Sequence, residues 1–119
     1  MAEHNEFGKI AEEMACVHLQ KKGYEVLERN FFYDRAEVDI IAKKEDLIVC
    51  VEVKARSSSD FGNPQDFISQ KKIKLLVKAM NEYVNRLEIE VEVRFDVVAI
   101  VKSRSNFSIE HLENAFYHF

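Results

Sequence analysis

A chain of 119 residues with three glycines, one proline and 47% hydrophobic residues can hold one compact domain, 1–119, and leaves little room for a second. No stretch approaches the roughly 20 apolar residues of a membrane span, and Met1–Glu6 lacks the basic-then-apolar pattern of a leader, so a cytoplasmic protein with no membrane partner is expected. The formal charge of −4 argues against a surface coated in positive charge to hold nucleic acid, although a local basic patch stays open.

Between Phe7 and Lys22, the side chains of Phe7, Ile10, Ala11, Met14, Ala15 and Leu19 recur near helical spacing, and Gly23 supplies a stop. That spacing predicts a first helix. Tyr24–Tyr33 mixes aromatic and β-branched residues and ends in the polar pair Asp34-Arg35, a strand and a turn. Val38–Ala42 and Leu47–Val53 are the next strands, joined by the hairpin-like Lys43-Lys44-Glu45-Asp46. Gly62, Asn63 and Pro64 break the pattern, after which Ile73, Leu76, Val77, Met80, Tyr83, Val84 and Leu87 draw the stripe of a longer helix. From Glu88 the period becomes two, in EIEVEVRFDVVAIV, and Phe107–Leu112 adds an edge strand. The order is α-β-β-β-α-β-β. A mixed sheet with helices on both faces suits it, because Leu47–Val51 is apolar on both sides. Cys16 and Cys50 sit inside apolar patterns and read as reduced, buried hydrophobes.

The apolar run Leu47–Val51 ends abruptly in Glu52-Val53-Lys54. Successive strand residues point to opposite faces, so Cys50, Glu52 and Lys54 share one face, and on the preceding strand Glu37, Asp39 and Ile41 share another. Pairing of that hairpin brings three carboxylates and one ammonium within reach of each other beside residues that should be buried. Buried ionised carboxylates cost several kcal/mol unless a partner or a metal compensates. Oxygen ligands of this kind, Glu37, Asp39 and Glu52 with a backbone carbonyl at Val53, are what Mg²⁺ or Mn²⁺ takes in phosphoryl-transfer sites. The metal lowers the pKa of bound water and neutralises charge developing on a phosphate. Lys54 lies where it could orient the attacking water or offset transition-state charge. A plainer reading also stands: Glu88–Arg94 shows the same acidic and apolar alternation with no evident chemistry, and Glu52 and Lys54 could form ordinary surface pairs. What distinguishes them is the two-sided apolar run before Glu52, which Glu88–Arg94 lacks.

Glu37-Val38-Asp39 followed by Val51-Glu52-Val53-Lys54 resembles the PD-(D/E)XK nuclease motif of the restriction-endonuclease-like superfamily. More closely, the chain resembles the YraN-like bacterial proteins. The residues that carry this are Gly8, Ala11-Glu12 and Ala15, Gly23-Tyr24, Arg29-Asn30-Phe31, the two motifs above with Ala55-Arg56, Phe61-Gly62, Lys72, Arg94–Val98 and Asn114-Ala115-Phe116. The resemblance implies a restriction-endonuclease-like αβββαβ core, with a mixed central sheet flanked by helices. It makes Asp39 and Glu52 metal ligands, Lys54 the catalytic lysine and Glu12 a further acidic residue supplied by the first helix, as in relatives that resolve Holliday junctions. Two departures stand out: Ala11 replaces the second glycine usual in the first helix, and Val38 stands where the short motif has proline.

Other residues carry weaker signals. Gln70, Lys71, Lys72, Lys74 and Lys78 crowd the start of the long helix, where the helix dipole is also positive, so phosphate contact or a plain solvated face are both open. Arg56 with Ser57, Ser58 and Ser59 could meet nucleic-acid phosphates or form a solvated loop. Asp96 is expected to pair with Arg94 or a neighbouring backbone group. His4, His18, His111 and His118 lack metal-ligand spacing and are assigned no chemistry. The leading expectation is a Mg²⁺- or Mn²⁺-dependent nuclease-type domain acting on DNA, branched or otherwise structured, as a weak homodimer, with the aromatic tail Phe116-Tyr117-His118-Phe119 either a contact between copies or buried in the protomer's own core. The alternatives are a non-catalytic nucleic-acid-binding or protein-interaction module on the same fold, and a purely structural α/β domain.

Overall fold

In the computed structural model, which describes residues 2–57, 68–88 and 90–116 with side chains from residue 6 onward, the chain runs through seven elements. They are α1 (Ala2–Lys21), β1 (Glu25–Tyr33), β2 (Ala36–Lys44), β3 (Leu47–Ser57), α2 (Gln70–Leu87), β4 (Glu92–Ser103) and β5 (Asn106–Leu112). The break at Phe61-Gly62-Asn63-Pro64, the serines 58 and 59, and Tyr117-His118-Phe119 lie outside the described residues.

The five strands form one mixed sheet in chain order, β1-β2-β3-β4-β5. β3 and β4 pair in parallel and the other neighbours are antiparallel. Parallel neighbours need a crossover, and α2 lies within it. The αβββαβ order expected from the sequence is present, with β5 added at the edge.

Each helix covers one face. On one side Ala11, Ala15, Cys16 and Leu19 of α1 pack against Ile40, Val49, Val51, Val98 and Ile100. On the other, Ile73, Leu76, Ala79, Met80 and Tyr83 of α2 pack against Val38, Ile41, Ile48, Cys50 and Val97. β3 therefore buries both sets of alternating side chains, which is why Leu47–Val51 is apolar throughout.

Local chemistry sets the helix ends. Gly23 adopts φ +92°, and after it Tyr24 N–H donates to Leu19 C=O (2.9 Å) while Gly23 N–H donates to Gln20 C=O (3.1 Å), a left-handed stop that a side chain would strain. Ser69 opens α2 by accepting from the Lys72 N–H at 3.1 Å.

One expectation is corrected. Strict alternation would have put Glu37, Asp39 and Ile41 on one face, yet Val38 and Ile41 both pack under α2 while Ile40 packs under α1. The alternation breaks at Asp39. Opposite it on β1 the same break occurs at Asn30, whose φ is +54°: Arg29 reaches acidic residues of α1, and Phe31 meets Tyr83 of α2 edge-to-face.

Candidate metal centre

The register shows where Asp39 is set free. β2 pairs with β3 from Lys44↔Leu47 up to Ile40↔Val51, while its pairing with β1 continues to Ala36 and β3 continues beside β4 to Ser57. The two strands fork at Asp39. Its carboxylate enters the fork, where Oδ2 accepts from the Val53 N–H at 2.8 Å. Part of the ladder lost at the fork is thus replaced by a side chain.

Glu52 sits at the mouth of the same fork on the α2 face. Its side chain is 1% exposed, and neither Oε1 nor Oε2 accepts a directional hydrogen bond. Lys72 of α2 meets Oε2 as a charge contact, and Lys54 Nζ stands 3.7 Å from the same oxygen. Burial first, and then the neighbouring Glu52 charge, pushes the Asp39 carboxyl up to about 8, against the opposing pull of the Val53 N–H and Lys72. The pair is thus met by two ammonium charges but is short of hydrogen-bond donors. That deficit is what a divalent cation with oxygen preference relieves.

Lys54 is partly exposed at this site. Val53 contributes its N–H to Asp39 and packs its side chain toward α1, so only its backbone faces the fork. Glu37 is exposed on the wall of a cleft of about 320 Å³ that Asp39, Arg35, Ser69, Lys71 and Lys72 also line. Among the described residues no three His, Cys, Asp or Glu side chains are gathered closely enough to hold one ion, so Asp39 and Glu52 form a pair with Glu37 standing off.

Glu12 is not brought to the cluster. α1 lies across the sheet from Glu52, and the Glu12 carboxylate is 3.9 Å from the Arg29 guanidinium. Gln70 and Lys71 are the first two residues of α2, exposed, and Lys74 is exposed one turn on. Lys78 is engaged elsewhere, at 2.8 Å from Asp34. Arg56 is half-buried on β3 beyond Lys54. Cys50 lies beneath Glu52 as a free, fully buried thiol whose pKa is raised well above its ordinary value by burial and by Glu52 and Asp39. It is an inert core residue, as expected.

Two features were missed by sequence reasoning. Arg35, read only as part of a turn, lines the same cleft as Lys71 and Lys72. On the α1 face, buried Asp96 accepts from Arg94 Nε and a terminal guanidinium nitrogen (2.8 Å each), from the Asn114 N–H (3.0 Å) and from His111 Nε2 (2.8 Å). With Nε2 donating, His111 Nδ1 is free to accept from His18 Nε2 at 3.1 Å. Burial alone would raise the Asp96 pKa, but the His111, Arg94 and Asn114 bonds together hold it below the ordinary value. The Asp96–Arg94 pairing was legible in the sequence. The two histidines, 93 positions apart, were not.

The family model described as "Uncharacterised protein family UPF0102" matches residues 11–100. The chain belongs to this family. UPF0102 relatives match it end to end: one from Flavobacterium psychrophilum is 57% identical over 119 residues, covering all of both chains. Another from Flavobacterium johnsoniae is 58% identical over 123 residues, again covering both in full. A more distant UPF0102 protein of Phocaeicola vulgatus is 41% identical over 117 residues, covering 98% of this chain and 97% of its own. The UPF0102 match takes in Asp39, Glu52, Lys54, Lys72 and Asp96, while His111 lies beyond it.

Proposed function

We propose that this UPF0102 member is a Mg²⁺- or Mn²⁺-dependent nuclease-type domain of PD-(D/E)XK character that hydrolyses phosphodiester bonds in DNA, including branched or structured DNA, in the cytoplasm. The observation that carries the reading is the buried Glu52 carboxylate, poorly supplied with hydrogen-bond donors, beside the half-buried carboxylate of Asp39 at a strand fork. Asp39 and Glu52 would hold the ion, with the Val53 backbone at the fork and Glu37 on the cleft wall. A divalent cation there supplies Lewis-acid polarisation of a phosphoryl oxygen and activation of water. Lys54 is placed to orient that water and to offset charge on the phosphate.

Nucleic acid is supported by charge placement. The first turn of α2 has no acidic residue and carries Lys71 and Lys72, with Lys74 following. Cations at the positive end of a helix dipole are unfavourable by themselves, and a bound phosphate reverses the sign. Gln70 opens the same helix, and Arg56 follows Lys54 on β3 as a further candidate contact. Cutting two strands symmetrically takes two sites related by a two-fold axis, so a weak homodimer formed on DNA is part of the proposal.

The test is a cleavage panel of linear, single-stranded, flap and four-way DNA with Mg²⁺ or Mn²⁺, run beside Lys54→Ala. We expect cutting of at least one substrate by the wild type and loss of 10²-fold or more in the variant. Absence of any activity that the variant lacks would remove the catalytic reading. The contact of Lys72 with Glu52 favours a second reading, a non-catalytic nucleic-acid-binding module in which that pair is structural. It predicts DNA binding that is indifferent to metal.

A further inference from the structure

Lys72 stands between two environments. Its backbone is fixed at the third position of α2, where its N–H is held by the Ser69 side chain. Its side chain lines the cleft with Arg35, Ser69 and Lys71, and its ammonium meets the buried Oε2 of Glu52. Lys54 stands further from that oxygen, at 3.7 Å. The cation in contact with the carboxylate pair therefore comes from the helix, on a flexible four-carbon stem whose other accessible position is the cleft.

Resting on the metal-site reading above, we propose that Lys72 is a built-in occupant of the cation position at Glu52, displaced into the cleft when a divalent ion binds, where with Arg35 and Lys71 it forms a phosphate site for nucleic acid. Two facts make the exchange physically reasonable. Lys72 and, at 3.7 Å, Lys54 both meet Oε2 of the buried Glu52 carboxylate, so one cation position there is already filled by an ammonium that a divalent ion could replace. The cleft presents Arg35, Lys71 and the Ser69-capped start of α2 beside Glu37 and Asp39, so an ammonium moved there joins a cationic group that a phosphate can bridge. Metal and nucleic acid would then bind with positive coupling through one side chain: metal frees the ammonium for phosphate, and phosphate draws it away from the metal position. Such coupling is reciprocal.

The experiment is Mn²⁺ titration by calorimetry of the full chain as wild type, Lys72→Gln and Lys72→Arg, with 20-base-pair duplex affinity at fixed salt measured with and without Mn²⁺. Without the competing charge, Lys72→Gln should bind Mn²⁺ roughly tenfold more tightly, within the ordinary range of coupling between sites. Lys72→Arg should bind it no more tightly than wild type. Mn²⁺ should strengthen duplex binding by the wild type and lose most of that effect in Lys72→Gln. If Lys72→Gln does not fold, Lys72→Met, which keeps the apolar stem, takes its place. Wild type that binds Mn²⁺ while the neutral variants bind it equally or more weakly overturns the exchange and leaves the metal site standing. Absence of Mn²⁺ binding in wild type and variants alike overturns the metal site itself.

Discussion

At the level of single residues, the decisive difference is between half-buried Asp39 and fully buried Asp96, two carboxylates with opposite outcomes. Asp96 is surrounded by donors and stays ionised. Asp39 receives one backbone N–H and faces Glu52, so without metal its carboxyl is pushed up to about 8. The sign of the consequence follows from linkage: between the ordinary value of 3.8 and about 8 the folded chain holds a proton that the unfolded chain has released. The stability from this group is full below the lower value and is lost as pH rises through the upper one. In EDTA, the melting temperature of the wild type should therefore fall relative to Asp39→Asn as pH rises from 4 toward 8, with no further divergence above. Asparagine can still accept from Val53. Adding metal at 100 times its dissociation constant should stabilise the wild type by about 2.7 kcal/mol and leave Asp39→Asn nearly unmoved. A variant destabilised at pH 8 together with a metal-insensitive wild type would mean that Asp39 is a structural partner.

Elements are tied together by contacts that hydropathy does not show. The Asp96 network joins β4 to His111 on β5, to the Asn114 backbone and, through His18, to α1. Arg94 adds Tyr24, whose hydroxyl accepts from it at 2.6 Å. Asp96→Asn removes the buried charge that Arg94 and His111 bond, leaving Arg94, among the described residues, only the exposed Glu113 carboxylate at 3.7 Å, and should cost about 3–5 kcal/mol in urea unfolding, with faster amide exchange along β5. A loss under 1 kcal/mol would show that β5 is held by its ladder alone. The start of α2 makes the converse prediction. Lys71→Glu places an anion at the positive end of the dipole and should stabilise the metal-free chain by about 0.3–1 kcal/mol while weakening duplex binding. Stabilisation without loss of binding would remove Lys71 from the nucleic-acid surface.

For the whole molecule, the open question is assembly. Phe116 of the aromatic tail is buried against Phe95, so it is core and not a contact. The fold instead leaves Phe107 and Ile109 exposed on β5, at an edge of the sheet that no strand covers among the described residues. Exposed edges of this kind invite pairing. Sedimentation at several concentrations, with and without four-way DNA, should show a dimer that forms or strengthens on DNA and is lost in Ile109→Lys. A monomer under every condition ends the dimer. No helix among the described residues is long and apolar enough to cross a membrane.

Periodicity alone determined the two helices, the five strands and their order, because each buries an apolar face whose spacing is written locally. It also singled out Asp39, Glu52 and Lys54, since charge placed at the end of a two-sided apolar strand is conspicuous in one dimension. Element ends were less legible: β3 continues past Val53 to Ser57 because β4 pairs with it as far as Lys102, and α2 starts at Gln70 because Ser69 caps it. Tertiary structure alone decided which cation touches Glu52. Lys54 is two residues away in sequence and Lys72 twenty, yet the crossover helix brings Lys72 into contact. It also turned Glu12 to Arg29 across the sheet, brought Arg35 to the cleft and joined His18 to His111. Those outcomes depend on where the chain returns in space, and a pattern that repeats every two or 3.6 residues carries no record of it.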